Sequence, residues 1–290
     1  MKPAALDYHR PSTVADAVGL LATIPDAKPI AGGQSLMPML NMRLAQPAAL
    51  VDLGAIESLS FIRRDNGELV VGATTTQRTL ERSPEAAALP LIGAVIRHIG
   101  HPTIRNRGTV GGSIAHADPA AELPVLALAL DAQLQIEGAG GSRTVPADAF
   151  FRGFLTTAVD DGELLIEVRF TVPPTGTGFG FQELARRHGD FALASVLSLV
   201  TLRDDGTVSS ARIVVGGAGP APVRVTAAEQ QLLGQAPSAE VIAGAAAAVG
   251  PALQPVADVH ASADYRRQVA SVLTRRTLQA AVTQLKEHAL

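Results

Sequence analysis

Apolar and polar residues recur with two different periods along the chain, and the changes of period predict its elements. Near the N-terminus, apolar residues recur with helical spacing from Val14 to Leu21, after the capping pair Ser12-Thr13. Short strands are predicted at 28–31 and 49–53, with a helix at 36–44 between them. Strand, helix and strand in this order predict a small α/β unit.

From residue 58 onward the pattern changes to hairpins mixed with helices. Asn66-Gly67 separates two β-prone runs, and this dipeptide is a strong short-range hairpin signal. Helices are predicted at 76–82, 90–99 and 120–130, and strands at 132–137, 142–145 and 163–171. This part of the chain is therefore predicted to be a mixed antiparallel sheet with helices.

Proline and glycine at 173–178 mark the clearest boundary in the chain. Beyond it, strands at 179–186, 191–203 and 208–215 predict an antiparallel three-stranded meander. Helices follow at 226–234 and 239–249, and a long final helix opens at Ser262. Its predicted apolar face consists of Tyr265, Val269, Leu273, Ala280 and Leu285. The predicted fold class is α+β, with domains at 1–55, 56–174 and 175–290.

Composition and charge narrow the classes of function. The net charge is −3 without a basic cluster, so a nucleic-acid partner has no electrostatic support. The apolar runs are too short to span a bilayer, and no apolar signal core follows Met1-Lys2-Pro3, so a cytoplasmic location is expected. Cysteine is absent, which excludes thiol nucleophiles and cysteine-bound iron–sulfur clusters in this chain.

Two glycine turns carry the candidate chemistry. The first, at 31–36, reads Ala-Gly-Gly-Gln-Ser-Leu, and the second, at 108–113, reads Gly-Thr-Val-Gly-Gly-Ser. Glycine lets the main chain approach a ligand closely, and successive peptide N–H groups in such turns form concavities that hold anionic oxygens. Two such turns, each with hydroxyl residues, indicate one ligand with more than one phosphate. The glycine spacing does not fit a Rossmann fingerprint.

Other polar residues are weighed against structural roles. Gly100 and Pro102 break the helical spacing of His98 and His101, so no metal pair is predicted. His116 and Asp118 are interpreted as a loop histidine and a cap for a helix that begins near Pro119. Arg105 and Arg107 are left open between phosphate attraction, a partner contact and a solvated pair. The glycine cluster at 216–219 is interpreted as a structural turn.

At the level of families, the chain resembles the FAD-binding medium subunits of the molybdenum hydroxylases, the group of aerobic carbon monoxide dehydrogenase and xanthine dehydrogenase. The resemblance rests on the first glycine turn, on Ile104–Ser113, on the Ala-Asp-Pro-Ala-Ala-Glu-Leu-Pro run at 117–124, and on the Arg-Arg-His-Gly-Asp-Phe-Ala run at 186–192. These motifs stand in the family's order and cover essentially the whole chain.

The resemblance implies a set of residues that bind FAD without a covalent bond. These are Lys28, Pro29, Ile30, Ala31, Gly32, Gly33, Gln34, Ser35, Leu36, Thr109, Gly111, Gly112, Ser113, Asp118, Glu122, Leu165 and Phe191. In the family pattern, the first turn binds the pyrophosphate and the second closes on the phosphates and the flavin. Glu122 stands at the adenosine ribose, and a main-chain group of Leu165 meets the adenine or flavin region. Phe191 replaces a tyrosine over the flavin ring, which removes any role for a phenol hydroxyl.

The resemblance also implies the function and the partners. A molybdenum cofactor on a large subunit oxidises the substrate, two iron–sulfur clusters on a small subunit pass the electrons on, and FAD on this chain delivers them to an external acceptor. A dimer of heterotrimers is expected. No acid–base residue is assigned here, and NAD, a quinone and oxygen all stay open as acceptor. Two alternatives are a self-sufficient FAD-dependent oxidoreductase with its own small substrate and a flavin-free assembly module.

Overall fold

A computed structural model describes residues 2–288 as an α+β protein whose N-terminal part is a small parallel α/β unit. Its elements are β1 (Asp7–His9), α1 (Val14–Thr23), β2 (Ala27–Ile30), α2 (Leu36–Asn41) and β3 (Ala49–Asp52). The sheet has the order β1-β3-β2 with parallel pairing. Thr13 caps α1 by accepting from the Asp16 N–H, as predicted. Strand β1 was not predicted, because three residues with polar ends carry no periodic signal.

The middle part is built on a five-stranded antiparallel sheet of order β4-β5-β10-β6-β7. Its elements are β4 (Ile62–Asp65), β5 (Glu68–Gly72), α3 (Gln77–Arg82), α4 (Pro84–Ala87), α5 (Pro90–Ile96), α6 (Pro102–Arg105), α7 (Val110–His116), α8 (Glu122–Ala129), β6 (Gln133–Gly138), β7 (Gly141–Pro146), α9 (Ala147–Phe150), β8 (Phe151–Gly153), β9 (Thr156–Thr157) and β10 (Leu164–Thr171). Asn66 and Gly67 both have positive φ, so the predicted hairpin is confirmed.

The C-terminal part is an antiparallel sheet covered by helices. Its elements are β11 (Thr177–Ala185), β12 (Ala192–Leu202), β13 (Val208–Gly216), β14 (Val223–Arg224), α10 (Thr226–Leu232), α11 (Ala239–Ala247) and α12 (Ala263–His288). The three predicted strands are confirmed, and the two-residue β14 adds a fourth at the edge. Among the helices of residues 2–288, none is long and apolar enough to cross a membrane.

The buried face of α12 agrees with the predicted face at Val269, Leu273 and the partly buried Leu285, and differs at two positions. Tyr265 is 45% exposed, and Ala280 is also exposed. The buried positions are Arg266, Val269, Ala270, Leu273, Thr274, Thr277, Leu278, Ala281 and Val282. Thr277 Oγ1 donates to the Thr274 carbonyl at 3.1 Å and lies 2.8 Å from Ser198 Oγ. Because these hydroxyls are satisfied inside the protein, threonines occupy core positions that an apolar pattern does not reveal.

Three clusters of buried apolar side chains form the core, and two of them cross the predicted domain boundaries. Leu164 of β10 packs with the N-terminal cluster. Leu197 and Val214 of the C-terminal sheet pack with the middle cluster. The boundaries at 55/56 and 174/175 stay predictions.

The seam between β11 and α12 gives a testable prediction. A Cβ on Gly180 would overlap the Thr277 carbonyl oxygen of α12. We therefore expect Gly180→Ala to lower the free energy of unfolding in urea by about 1–3 kcal/mol, because an overpacked interface must shift.

Gly244→Ala is the matched control, since nothing lies within 4 Å of a Cβ at this helical position. It should be neutral or stabilise by about 0.4–1 kcal/mol. Equal stabilities of the two variants would show that the packing of α12 on β11 does not require a glycine at position 180.

Candidate functional site

The two glycine turns, about 75 residues apart in sequence, touch each other in the structure. A Cβ on Gly32 would overlap the Arg107 carbonyl oxygen and lie 2.9 Å from Gly108 Cα. A Cβ on Gly112 would lie 3.9 Å from the Ala31 Cβ. Main chain therefore meets main chain with no side chain between, and the two turns lie side by side. The glycine at position 32 is required by this approach.

The first turn presents a row of free main-chain donors. Within residues 2–288, the N–H groups of Gly32, Gly33, Gln34 and Ser35 have no protein acceptor. Gly33 has a φ of +70°, the left-handed conformation that glycine adopts without strain, and Gln34 Nε2 donates to the Gly32 carbonyl at 3.0 Å. Successive unpaired N–H groups in such a turn are an anion-binding concavity. The donor set fits a diphosphate.

The second turn differs, because its N–H groups are engaged within the protein. Val110 N donates to the Thr75 carbonyl and Gly111 N to the Ala73 carbonyl, both at 2.9 Å, and Gly112 N donates to Thr109 Oγ1 at 3.1 Å. The expectation that both turns offer N–H groups to a phosphate is therefore corrected for these three residues. What the second turn exposes beside the first turn is the main chain of Gly112.

Glu122 and its neighbours form a buried polar cluster between α8 and the C-terminal sheet. Glu122 is 7% exposed, and burial, with a contribution from nearby Glu183, raises its pKa to about 8. Glu183 Oε1 lies 3.3 Å from His98 Nδ1. In the described residues, neither Glu183 Oε2 nor Ser195 Oγ has a hydrogen-bond partner. Sequence reasoning missed Glu183 and Ser195, because an isolated polar residue in a strand pattern carries no sign that it is buried.

The remaining predicted binding residues lie on different elements. Leu165 is 4% exposed beside an irregularity in the β10–β6 pairing. Phe191 is 64% exposed just before β12. Asp118 Oδ1 accepts from Ala120 N at 2.9 Å, while α8 begins at Glu122 without a side-chain cap. The predicted helix cap at Asp118 is thus wrong, because the aspartate closes a loop instead.

Arg105 has a structural role that sequence reasoning left open. It is 6% exposed, its Nη1 donates to the Ile99 carbonyl at 2.9 Å, and its Nε lies 3.3 Å from Glu81 Oε2. The arginine therefore holds the chain ahead of α6 and is not directed at a ligand. The third glycine cluster is a structural turn as interpreted, since Gly217 N donates to the Pro119 carbonyl at 2.7 Å.

The geometry thus defines an anion-binding turn packed against a second glycine turn, and comparisons with known proteins identify the family of the chain. Residues 4–173 match the family model for the FAD binding domain in molybdopterin dehydrogenase. Residues 179–281 match the model for the CO dehydrogenase flavoprotein C-terminal domain.

Relatives of known function match over nearly the full length. The 6-hydroxypseudooxynicotine dehydrogenase complex subunit alpha of Paenarthrobacter nicotinovorans is 43% identical, covering 97% of this chain and 96% of the relative. The carbon monoxide dehydrogenase medium chain of Hydrogenophaga pseudoflava is 38% identical, covering 97% and 98%. A solved structure of carbon monoxide dehydrogenase from that organism superposes with a TM-score of 0.95 at 40% identity, covering 98% and 99%.

The chain therefore belongs to the family of FAD-binding medium subunits of the molybdenum hydroxylases. It is the FAD-carrying, electron-transfer subunit of a multi-subunit oxidoreductase. The molybdenum cofactor and the iron–sulfur clusters lie on its large and small partner subunits. Neither the self-sufficient flavin enzyme nor the flavin-free module is supported.

The raised pKa of Glu122 gives a prediction about stability and pH. Its pKa is about 8 in the folded protein against 4.5 for an ordinary glutamate, so the folded state binds more protons in this window. The contribution of the protonated Glu122 to the free energy of unfolding is fully present below pH 4.5 and is lost as the pH rises through about 8. Between these pH values the free energy of unfolding falls by at most about 1.4 kcal/mol per pH unit because of this group.

Glu122→Gln should remove this slope, so its stability relative to the wild type should increase as the pH rises, in denaturant titrations from about pH 5 to about pH 8. Glu240→Gln, at an exposed carboxylate, should leave the slope unchanged. Parallel curves for wild type and Glu122→Gln would show that the glutamate is ionised throughout.

Proposed function

We propose that FAD is held without a covalent bond in the cleft between the two glycine turns. The observation that carries this proposal is the main-chain contact between the turns, with four free N–H groups on one side of it. In this arrangement the N–H groups from Gly32 to Ser35 bind the pyrophosphate oxygens. The flanking residues from Lys28 to Ala31, together with Leu36, form the walls of the cleft.

The second turn forms the opposite side of the cleft, and it does so through its surface shape and not through free N–H donors. Gly112 presents bare main chain, and Ser113 presents a hydroxyl that is partly exposed. Thr109 and Gly111 hold this surface in place, Thr109 by accepting from Gly112 N and Gly111 by packing on Ala73. The phosphates and the flavin side therefore contact the second turn mainly through van der Waals interactions. The negative charge of the phosphates is bound by the N–H groups of the first turn.

The other FAD contacts come from three elements around the cleft. Glu122, with Asp118 in the loop before it, binds the adenosine ribose, and a main-chain group of Leu165 meets the adenine or flavin region. Phe191 would cover the flavin ring, and its side chain, 64% exposed, is free to contact a ligand. No hydroxyl is present at this position to hydrogen-bond the ring.

FAD supplies the redox chemistry, accepting electrons from an iron–sulfur centre and passing them to an external acceptor. The chain positions and shields the ring, and none of its residues is assigned as an acid or base. We further propose a dimer of heterotrimers and a cytoplasmic location. Relatives between 28% and 43% identical are named for nicotine, carbon monoxide, caffeine and xanthine chemistry, a range that fits a substrate pocket on the large subunit.

The cleft is tested by adding a side chain where the turns meet. Gly32→Ala should lose most bound FAD, because its Cβ would overlap the Arg107 carbonyl oxygen and push the turns apart. Gly112→Val should lose FAD because it fills the cleft beside Ala31. Both are measured as the flavin absorbance per protein after reconstitution, with circular dichroism to check the fold.

Gly93→Ala is the control, since nothing lies within 4 Å of a Cβ at that position in α5. This variant should bind FAD fully. Undiminished flavin in both cleft variants would refute the proposed cradle.

The proposed role of Phe191 has its own test. Phe191→Ala should retain FAD and shift the flavin absorbance spectrum and midpoint potential, because water replaces the ring over the isoalloxazine. Phe154→Ala, a similarly exposed phenylalanine at 67%, is the control. If the spectrum and potential of Phe191→Ala match those of the wild type, Phe191 does not contact the flavin.

A further inference from the structure

Helix α2 and the turn after it expose apolar side chains next to the cradle. Met37 is 39% exposed, Met42 50% and Leu44 70%. Three of the chain's four methionines lie at positions 37, 39 and 42. Exposed apolar residues that occur singly need no explanation, but a concentration on one short segment marks an interaction site. We call Met37, Met42, Arg43 and Leu44 the α2 face.

The α2 face is held in a defined shape. Leu40 anchors the helix with only 2% of its surface exposed. After the helix, Arg43 adopts a φ of +57° and its N–H donates to the Leu40 carbonyl at 3.0 Å. Leu44 N donates to the Met39 carbonyl at 2.9 Å. The main chain therefore fixes these side chains at the surface, and they are presented as a preorganised contact.

Along the stretch of chain that carries the α2 face, the charged residues are of one sign. No aspartate or glutamate occurs between Asp26 and Asp52, whereas Lys28 and Arg43 both lie in this stretch and are exposed. Methionine and arginine are enriched in the centres of protein interfaces, and acidic residues and lysine are depleted there. A surface of this kind fits an apolar partner surface with an acidic rim.

The position of the α2 face identifies the partner. Helix α2 begins at Leu36, directly after the first glycine turn, and Met37 Cγ would lie 3.2 Å from a Cβ on Gly33. Electrons reach this subunit from an iron–sulfur centre on another chain, and the rate of electron transfer falls steeply with the distance between the two centres. The donor must therefore cover surface that adjoins the cradle, where the α2 face lies.

We propose that the α2 face is the docking surface for the iron–sulfur subunit. The α2 face could alternatively be covered by the large subunit, by a second copy of this chain or by FAD itself. The two experiments below distinguish these occupants. The proposal rests on the cradle proposed above, so FAD content is measured first in every variant.

The first experiment places a charge on the α2 face. Met42→Glu and Leu44→Glu should retain FAD, and their affinity for the purified iron–sulfur subunit should fall at least about tenfold in calorimetry. Reduction of the flavin by the pre-reduced iron–sulfur subunit should slow in parallel at subsaturating concentrations. Leu233→Glu is the control, since Leu233 is 45% exposed and pairs with Val208, at the end of the C-terminal sheet remote from Phe191. Unchanged affinity in both variants would overturn the proposal.

The second experiment uses the methionines as probes. Peroxide converts exposed methionine to its sulfoxide, which mass spectrometry locates. Met37 and Met42 of the FAD-loaded chain should oxidise several-fold more slowly once the iron–sulfur subunit is bound. Protection by FAD alone, by the large subunit alone or by raising the concentration of this chain would overturn the proposal. Loss of FAD from Met42→Glu and Leu44→Glu would also overturn it, because the face would then belong to the cradle.

Discussion

The contact between the main chains of the two glycine turns is the constraint on which the site depends. Gly32 and the Arg107–Gly108 peptide approach so closely that no side chain fits between them. The two turns have different roles around this contact. The first keeps its N–H groups free, and the second uses its own to cap α7 and to hold it against the residues that follow β5. One side of the cleft thus supplies charge complementarity and the other supplies a fixed wall.

The C-terminal sheet packs on the middle part through apolar side chains such as Leu197 and Val214, and a buried polar cluster lies in the same interface. Glu122 at the start of α8 faces Glu183 and Ser195 of the C-terminal sheet, and His98 completes the cluster. Burying two carboxylates together is unfavourable unless one holds a proton, which the raised pKa of Glu122 provides. The packing of α8 on the sheet is therefore linked to the protonation state of a residue proposed to bind the ribose of the cofactor.

The same stretch of chain that forms the cradle also forms the α2 face. Residues 31–36 bind the ligand in the proposed function, and the residues that follow present an apolar, acid-free surface. A single short helix would thus connect the cofactor with the subunit that reduces it. Such an arrangement would let the partner bind close to the place where electrons enter the cofactor.

The sequence by itself determined the order and type of the principal elements, the hairpin at Asn66-Gly67, the two glycine turns and the family, because these depend on local periodicity and turn chemistry. It could not reveal β1, the buried threonines of α12 or the structural role of Arg105, since each is stabilised by partners distant in the chain. Nor could it show that Val110, Gly111 and Gly112 have used their N–H groups. Only the tertiary structure decided which polar groups are satisfied within the protein and which remain for a ligand, because hydrogen bonding is settled by neighbours in space.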